Sequence, residues 1–255
     1  FCNMEWAIEI DRLSVTFKAQ GKTVKALDDV SLQVGNGHVV GFLGPNGAGK
    51  TTAMHVLLGF QEPTSGSARV FGDDVSHTIA RRRIGYLPEH PDTYRFLTGR
   101  ELLTATGRLF GLGRQELRPR VEAAIEQVDL GPAASRRIGT YSRGMLQRIC
   151  LAQALINDPD LVILDEPTGG LDPFGRLKIR QIIERLRERG KTVFFSSHEL
   201  SEVELVCDTL AILAEGRVVA QGKATDLVSG DQNLERYFMN VVREAQGRGE
   251  STGTD

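Results

Sequence analysis

Residues 7–17 alternate apolar and polar side chains (Ile8, Ile10, Leu13, Val15, Phe17), the period-two pattern of a half-buried strand. A second such stretch covers 24–34, and Gly35-Asn36-Gly37 closes it as a tight turn. Residues 38–43 (HVVGFL) predict a short buried strand, and a glycine-rich turn then leads into a helix starting near Lys50. Short strands are expected again at 68–71 and 83–87. Between 88 and 158 the period changes: apolar residues recur every three or four positions over 100–112, 118–128 and 143–156, which predicts helices. The strand pattern returns at 161–164 (LVIL) and 192–196 (TVFFS), with helices expected over 172–188 and 200–207. Residues 210–213 and 217–220 predict a hairpin around Glu215-Gly216. An amphipathic helix is expected over 234–242, and the polar stretch 246–255 is read as a disordered tail.

Strands alternating with helices imply an α/β fold with a mostly parallel sheet. An antiparallel group of strands precedes it and a helical insertion interrupts it. The expected division is one domain over 1–245: a core at about 5–88 and 159–222, a helical part at about 89–158, and a short final helix at about 231–245. Only about 40 residues follow Val219, so no added regulatory domain is expected.

Composition narrows the function. A chain of 255 residues buries roughly three quarters of its unfolded surface, enough for a core without staples. The 31 basic and 33 acidic residues give a formal charge of -2, which argues against bulk nucleic-acid binding. Cys2, Cys150 and Cys207 are far apart and form no C-x-x-C pair, so neither a disulfide framework nor a structural zinc site is expected. Cys150 and Cys207 read as small buried apolar residues. No apolar run reaches the 18 or so residues of a membrane helix, and no signal peptide is visible at the start.

The chemistry begins at Gly44-Pro45-Asn46-Gly47-Ala48-Gly49-Lys50-Thr51, a full match to G-x-x-x-x-G-K-[ST] between an expected strand and an expected helix. Its glycines let backbone N–H groups wrap phosphates, and the helix N-terminus adds partial positive charge. Lys50 is placed to reach the β- and γ-phosphates, Thr51 to ligate Mg²⁺, and Thr52 to add a phosphate contact. The strand at 161–164 ends in Asp165-Glu166, at the sheet edge where ligands bind in open α/β sheets. Asp165 is the candidate metal ligand. Glu166 is the candidate general base or water-orienting group.

Tyr141-Ser142-Arg143-Gly144-Met145 opens a helix just ahead of the LVILDEP strand. This arrangement resembles the ATP-binding subunit of ABC transporters, whose signature LSGGQ stands at the same place. The resemblance spans nearly the whole chain and implies a P-loop NTPase core of the RecA type. Phe17 lies where that family stacks an aromatic ring on adenine, and Glu89 in GYLPE sits at the Q-loop position. Thr168-Gly-Gly-Leu171-Asp172-Pro matches the D-loop, and Ser196-Ser-His198-Glu matches the switch histidine. The resemblance implies ATP and Mg²⁺ as cofactors and a head-to-tail dimer with a second ATPase subunit. There Ser142 and Gly144 of one subunit close on the γ-phosphate held by the other, His198 bonds that phosphate, and Asp172 couples the two sites. It also implies a separate transmembrane permease, export of a substrate, a peripheral position on the cytoplasmic face of the membrane, and no nucleic-acid partner.

Three positions depart from the family pattern. Glu89 stands for Gln, which makes any contact with metal or water more sensitive to pH. Arg143 stands for the first signature glycine and Met145 for its glutamine, as in the subset of exporters with simple separate permeases. Within the insertion, Tyr94, Phe96 and Leu97 either anchor a partner helix or pack the insertion's own core. The run Arg81-Arg82-Arg83 is read as a solvated face. Two other functions are set against the transporter. A soluble ABC ATPase usually pairs two such domains or carries a long coiled coil, and a GTPase carries an Asn-Lys-x-Asp motif; none is present.

Overall fold

The computed structural model describes residues 6–19, 22–227 and 233–250. Two sheets organise the chain. Strands β1 (Trp6–Ala19), β2 (Lys22–Gly35), β4 (Ser65–Val70) and β5 (Asp73–Asp74) form an antiparallel sheet in the order β2-β1-β4-β5. The second sheet holds β3 (Val39–Leu43), β6 (Ile84–Leu87), β7 (Leu161–Leu164), β8 (Thr192–Ser197), β9 (Thr209–Ala214) and β10 (Arg217–Gly222), in the order β10-β9-β3-β8-β7-β6. Its five strands from β9 to β6 run parallel, and β10 turns back antiparallel as the far half of the expected hairpin.

The parallel strands are apolar throughout because both of their faces are covered. Alternate residues feed two cores. Val39, Leu43, Val162, Leu164, Val193 and Phe195 join the core shared with the helices. Val40, Phe42, Leu161, Ile163 and Phe194 join the core against the antiparallel sheet, together with Met54 and Leu57 from α1 (Lys50–Leu57). In β1 the apolar alternation slips between Ile10 and Leu13. The pairing to β2 is irregular there, with Arg12 at φ 46, and the slip keeps both apolar runs facing inward.

A short α2 (Thr78–Arg82) precedes β6. The insertion then carries α3 (Gly99–Leu109), α4 (Arg114–Gln127) and α5 (Arg143–Leu155). Two caps fix its entries: Thr98 and Glu101 form a reciprocal capping box on α3, and Ser142 Oγ accepts from Met145 N on α5. Helix α4 begins four residues before the expected start at 118, since Pro119 lies inside it rather than at its head. The remaining helices are α6 (Pro173–Glu188), α7 (Leu200–Val206), α8 (Ala224–Leu227) and α9 (Leu234–Glu250).

Two further expectations need correction. The last helix runs on to Glu250, so 246–250 is helical rather than a tail; 251–255 lie outside the described residues. Its inner face packs Leu234, Tyr237, Phe238, Val241 and Val242 on the core, and the backbone continues helical past them. Arg83 is not simply solvated: its guanidinium lies 3.9 Å from the Phe71 ring centre and Nε donates to Asp160 Oδ2 at 2.8 Å. Of the two alternatives for Tyr94, Phe96 and Leu97, exposure leaves Tyr94 and Phe96 on the surface, 65% and 68% exposed and 5.8 Å apart between ring centres, while Leu97 is half-buried.

Cys150 is buried, and burial pushes its thiol up to about 12; burial likewise raises the Cys207 thiol. Both sulfurs are free thiols and both stay protonated at neutral pH. Cys2 lies outside the described residues. Among the described residues no helix is long and apolar enough to cross a membrane.

Candidate active site

Four parallel strands deliver the candidate residues to one edge of the sheet. The loop after β3 is the glycine-rich segment 44–49. The ends of β8, β7 and β6 carry His198, Asp165-Glu166 and Glu89. Because β8 lies between β3 and β7, its end brings His198 to the same edge as the phosphate loop and the carboxylates, which meet each other directly through Thr51 and Asp165. A cleft of about 470 Å³ is lined by Asn46, Gly47, Gly49, Lys50, Thr51, Thr52, Glu89, Asp165, Glu166 and His198, with Ala26 from β2. Gly44, Pro45 and Ala48 support the loop from beneath, and Ala48 N donates to Pro45 O at 3.2 Å.

Gly49 caps α1 with φ 107, and a Cβ there would lie 2.5 Å from Ala26 O. Only glycine fits this turn. Lys50 is buried beneath it. Its Nζ donates to Gly44 O at 2.7 Å and Pro45 O at 3.2 Å, and lies 3.9 Å from Glu166 Oε1. An ammonium has three donors, so one remains for the cleft. Burial lowers the Lys50 pKa, and the carboxylates of Glu166, Asp165 and Glu89 only partly offset it.

The carboxylates are held by a short network. Thr51 Oγ1 donates to Asp165 Oδ2 at 2.9 Å, and Ser196 Oγ donates to Asp165 Oδ1 at 2.6 Å. The same Ser196 oxygen accepts from Glu166 N at 2.8 Å. Glu166 adopts φ 47, a left-handed conformation that costs a non-glycine residue about 1–2 kcal/mol. The bond to Ser196 and the contact between Glu166 Oε2 and His198 Nδ1, 2.8 Å apart, hold it there. The ring nitrogen is assigned as the donor because its partner is a carboxylate.

Thr51 and Asp165 suit a hard cation. Both supply oxygen, and their 2.9 Å separation matches the edge of an octahedron with bonds of about 2.0–2.1 Å.

Three of the expected residues gather elsewhere. Ser142, Gly144 and Asp172 line a second cleft, of about 420 Å³, with Arg143, Arg148 and Lys178. There Asp172 caps α6, Oδ1 accepting from Gly175 N at 2.7 Å. Phe17 lines neither cleft and is 40% exposed on β1. Ser196 and Ala26 were not singled out from sequence. A strand ending Ser-Ser before a histidine was the available signal for Ser196; Ala26 reaches the cleft only through the fold.

A glycine-rich loop at the end of a parallel strand, with its lysine facing paired carboxylates, defines a P-loop nucleotide-binding protein. Residues 27–169, more than half of the chain, match the family described as ABC transporter. An ABC transporter ATP-binding protein of Synechocystis sp. is 42% identical over 242 residues, covering 94% of this chain and 68% of that one. The ABC transporter ATP-binding protein NatA of Bacillus subtilis is 37% identical over 243 residues, covering 94% and 99%. The Nod factor export ATP-binding protein I of Paraburkholderia xenovorans is 38% identical over 229 residues, covering 89% and 74%. Among solved structures, an ATP-binding subunit of an ABC transporter superposes with a TM-score of 0.82 at 29% identity, covering 92% and 99%. An ATP-binding cassette in a dimeric post-hydrolysis state, bound to ADP and Pi, gives 0.78 at 25% identity, covering 85% and 98%. The chain belongs to the ABC transporter family, as an ATP-binding and ATP-hydrolysing subunit.

Proposed function

We propose that this subunit binds two ATP at a head-to-tail dimer interface and uses their hydrolysis to drive export through permease subunits on separate chains, from the cytoplasmic face of the membrane. The observation that carries the dimer is the division of residues between two clefts. Lys50, Asp165, Glu166 and His198 share one, while Ser142, Gly144 and Asp172 share the other. A second copy is therefore needed to bring both sets to one nucleotide. The dimeric cassette among the structural neighbours and the export named for the Paraburkholderia relative support the reading.

In this proposal the phosphate loop and the free donor of Lys50 bind the β- and γ-phosphates, and Phe17 stacks on adenine. Thr51, Asp165 and Glu89 are the residues that would hold Mg²⁺, which would supply positive charge against that developing on the phosphates. Glu166 takes a proton from the attacking water. His198 holds Glu166 through Nδ1 and faces the γ-phosphate with Nε2. Tyr94, Phe96 and Leu97 meet the permease, and Pro91 and Asp92 just before them in the chain line a groove of about 340 Å³ with Phe60, Tyr86 and Phe110.

Glu166→Gln tests the reading, because it keeps the shape of the side chain and removes the base. Turnover falls by about a hundredfold or more, and the variant shifts from monomer to dimer in saturating ATP and Mg²⁺ by light scattering. A monomer under those conditions contradicts the shared sites. Capture of this variant with ATP from solubilised native membranes brings a multi-span protein with it. Recovery of soluble partners alone favours an ATPase not coupled to transport.

A further inference from the structure

We propose that Arg176 is a positioning residue for ATP hydrolysis, tying the loop that follows Glu166 to the loop that carries His198. The inference rests on the proposed roles of those two residues. Arg176 sits in the first turn of α6. Its Nε donates to Leu171 O at 3.1 Å, and its Nη1 pairs with Glu199 Oε2, on the residue next to His198. One guanidinium thus closes a ring of contacts. Glu166 leads along the chain to Leu171, Leu171 to Arg176, Arg176 to Glu199, and His198 returns to Glu166 at 2.8 Å.

The segment between Glu166 and Asp172 turns on two backbone hydrogen bonds of its own, Gly169 N to Glu166 O at 3.0 Å and Leu171 N to Thr168 O at 3.2 Å. Side chains hold three of its alternate carbonyls: Gln147 Nε2 donates to Pro167 O at 3.2 Å, Arg143 Nη2 to Gly169 O at 3.0 Å, and Arg176 Nε to Leu171 O. The first two come from α5. Only Arg176 also reaches the histidine loop. A looser rung follows one turn along, where Arg180 Nε lies 3.5 Å from Glu202 Oε2. The Arg176 and Glu199 side chains are 32% and 23% exposed, so solvent screens their pairing less than that of a surface pair.

The position calls for arginine. Its planar fork sets Nε on a carbonyl and Nη1 on a carboxylate at a fixed separation, a span that the single nitrogen of an ammonium does not reproduce. Loss of the fork frees the Glu199 carboxylate and leaves the His198 loop to the bond from Glu199 N to Ser197 Oγ at 2.9 Å and to the His198–Glu166 contact. A reacting group displaced by about 1 Å can cost up to about a hundredfold in rate while substrate binding elsewhere is unchanged.

The test uses the full chain with MgATP and compares Arg176→Ala, Glu199→Gln and the double variant. Each single change lowers kcat by about tenfold or more, and KM and the Kd of a fluorescent ATP analogue stay within about twofold. The double variant is no slower than the slower single one, because both remove the same link. A kcat within about twofold of the parent in both singles overturns the proposal, as does a double variant whose loss is the product of the two. So does a loss that follows nucleotide affinity. Arg176→Lys, which keeps the charge and the bulk, covers the case in which alanine fails to fold; its kcat also falls, with unchanged Kd. Glu166→Gln is run beside them. If it keeps the parental rate, the reading of the site fails as well; if it is inactive while the Arg176 variants are fast, only the present inference fails.

Discussion

Lys50 shows how a residue proposed to bind phosphate can work against stability. Its ammonium lies under the phosphate loop, and burial lowers its pKa from the ordinary 10.5 despite the carboxylates nearby. Between the lowered value and 10.5 the unfolded chain holds more of that proton than the folded one. Stability from this group therefore rises with pH across that window, and at neutral pH the charge is a net cost. Lys50→Met removes the cost. In nucleotide-free protein its thermal midpoint is expected above that of the parent, while MgATP no longer raises the midpoint because phosphate binding is lost. A lower midpoint without nucleotide contradicts this account. Ser196 carries a similar lesson, since its hydroxyl serves Asp165 and Glu166 together.

The elements divide by how local their causes are. Thr98 caps α3 through a bond from Glu101 N, with Glu101 Oε2 accepting in return from Thr98 N at 2.8 Å. Thr98→Ala is expected to cost about 1 kcal/mol in urea unfolding and to leave ATP turnover unchanged, since the cap lies away from both clefts. Features of this local kind were legible in the sequence. The glycine-rich loop, the strand ending Asp165-Glu166 and the strand ending before His198 all depend on neighbours in the chain. Less legible was what the fold brings together across distance. The part played by Ser196 arises where β8 lies beside β7, and that of Ala26 where β2 passes the loop. Arg83 looked like part of a charged surface because nothing local announces Phe71 and Asp160. Pro119 masked the true start of α4, and α9 runs on past Ala245, its last residue packed on the core, through residues whose polarity suggested no structure.

At the scale of the whole molecule, both cores lean on the same sheet, and the cleft at its edge is bordered by residues at the ends of four strands that organise everything else. The exposed Tyr94–Phe96 pair lies on the insertion, away from the phosphate loop. Tyr94→Asp with Phe96→Asp is expected to leave the ATPase rate of the isolated subunit within about twofold. The same change sharply reduces co-purification of membrane partners from native membranes. Equal recovery of those partners by the parent and the variant shows that docking lies elsewhere.

The two clefts have a consequence for mixtures of damaged chains. If each nucleotide takes its phosphate loop from one chain and its signature from another, then chains carrying Lys50→Ala and chains carrying Ser142→Arg are each inert alone. Mixed together, they form some pairs in which one interface inherits both faults and the other inherits none. Activity should reappear on mixing, rise with the product of the two concentrations, and peak at equal proportions. Two defects on different chains would then complement, whereas the same two defects placed on a single chain and mixed with the parent would not restore what either one removes.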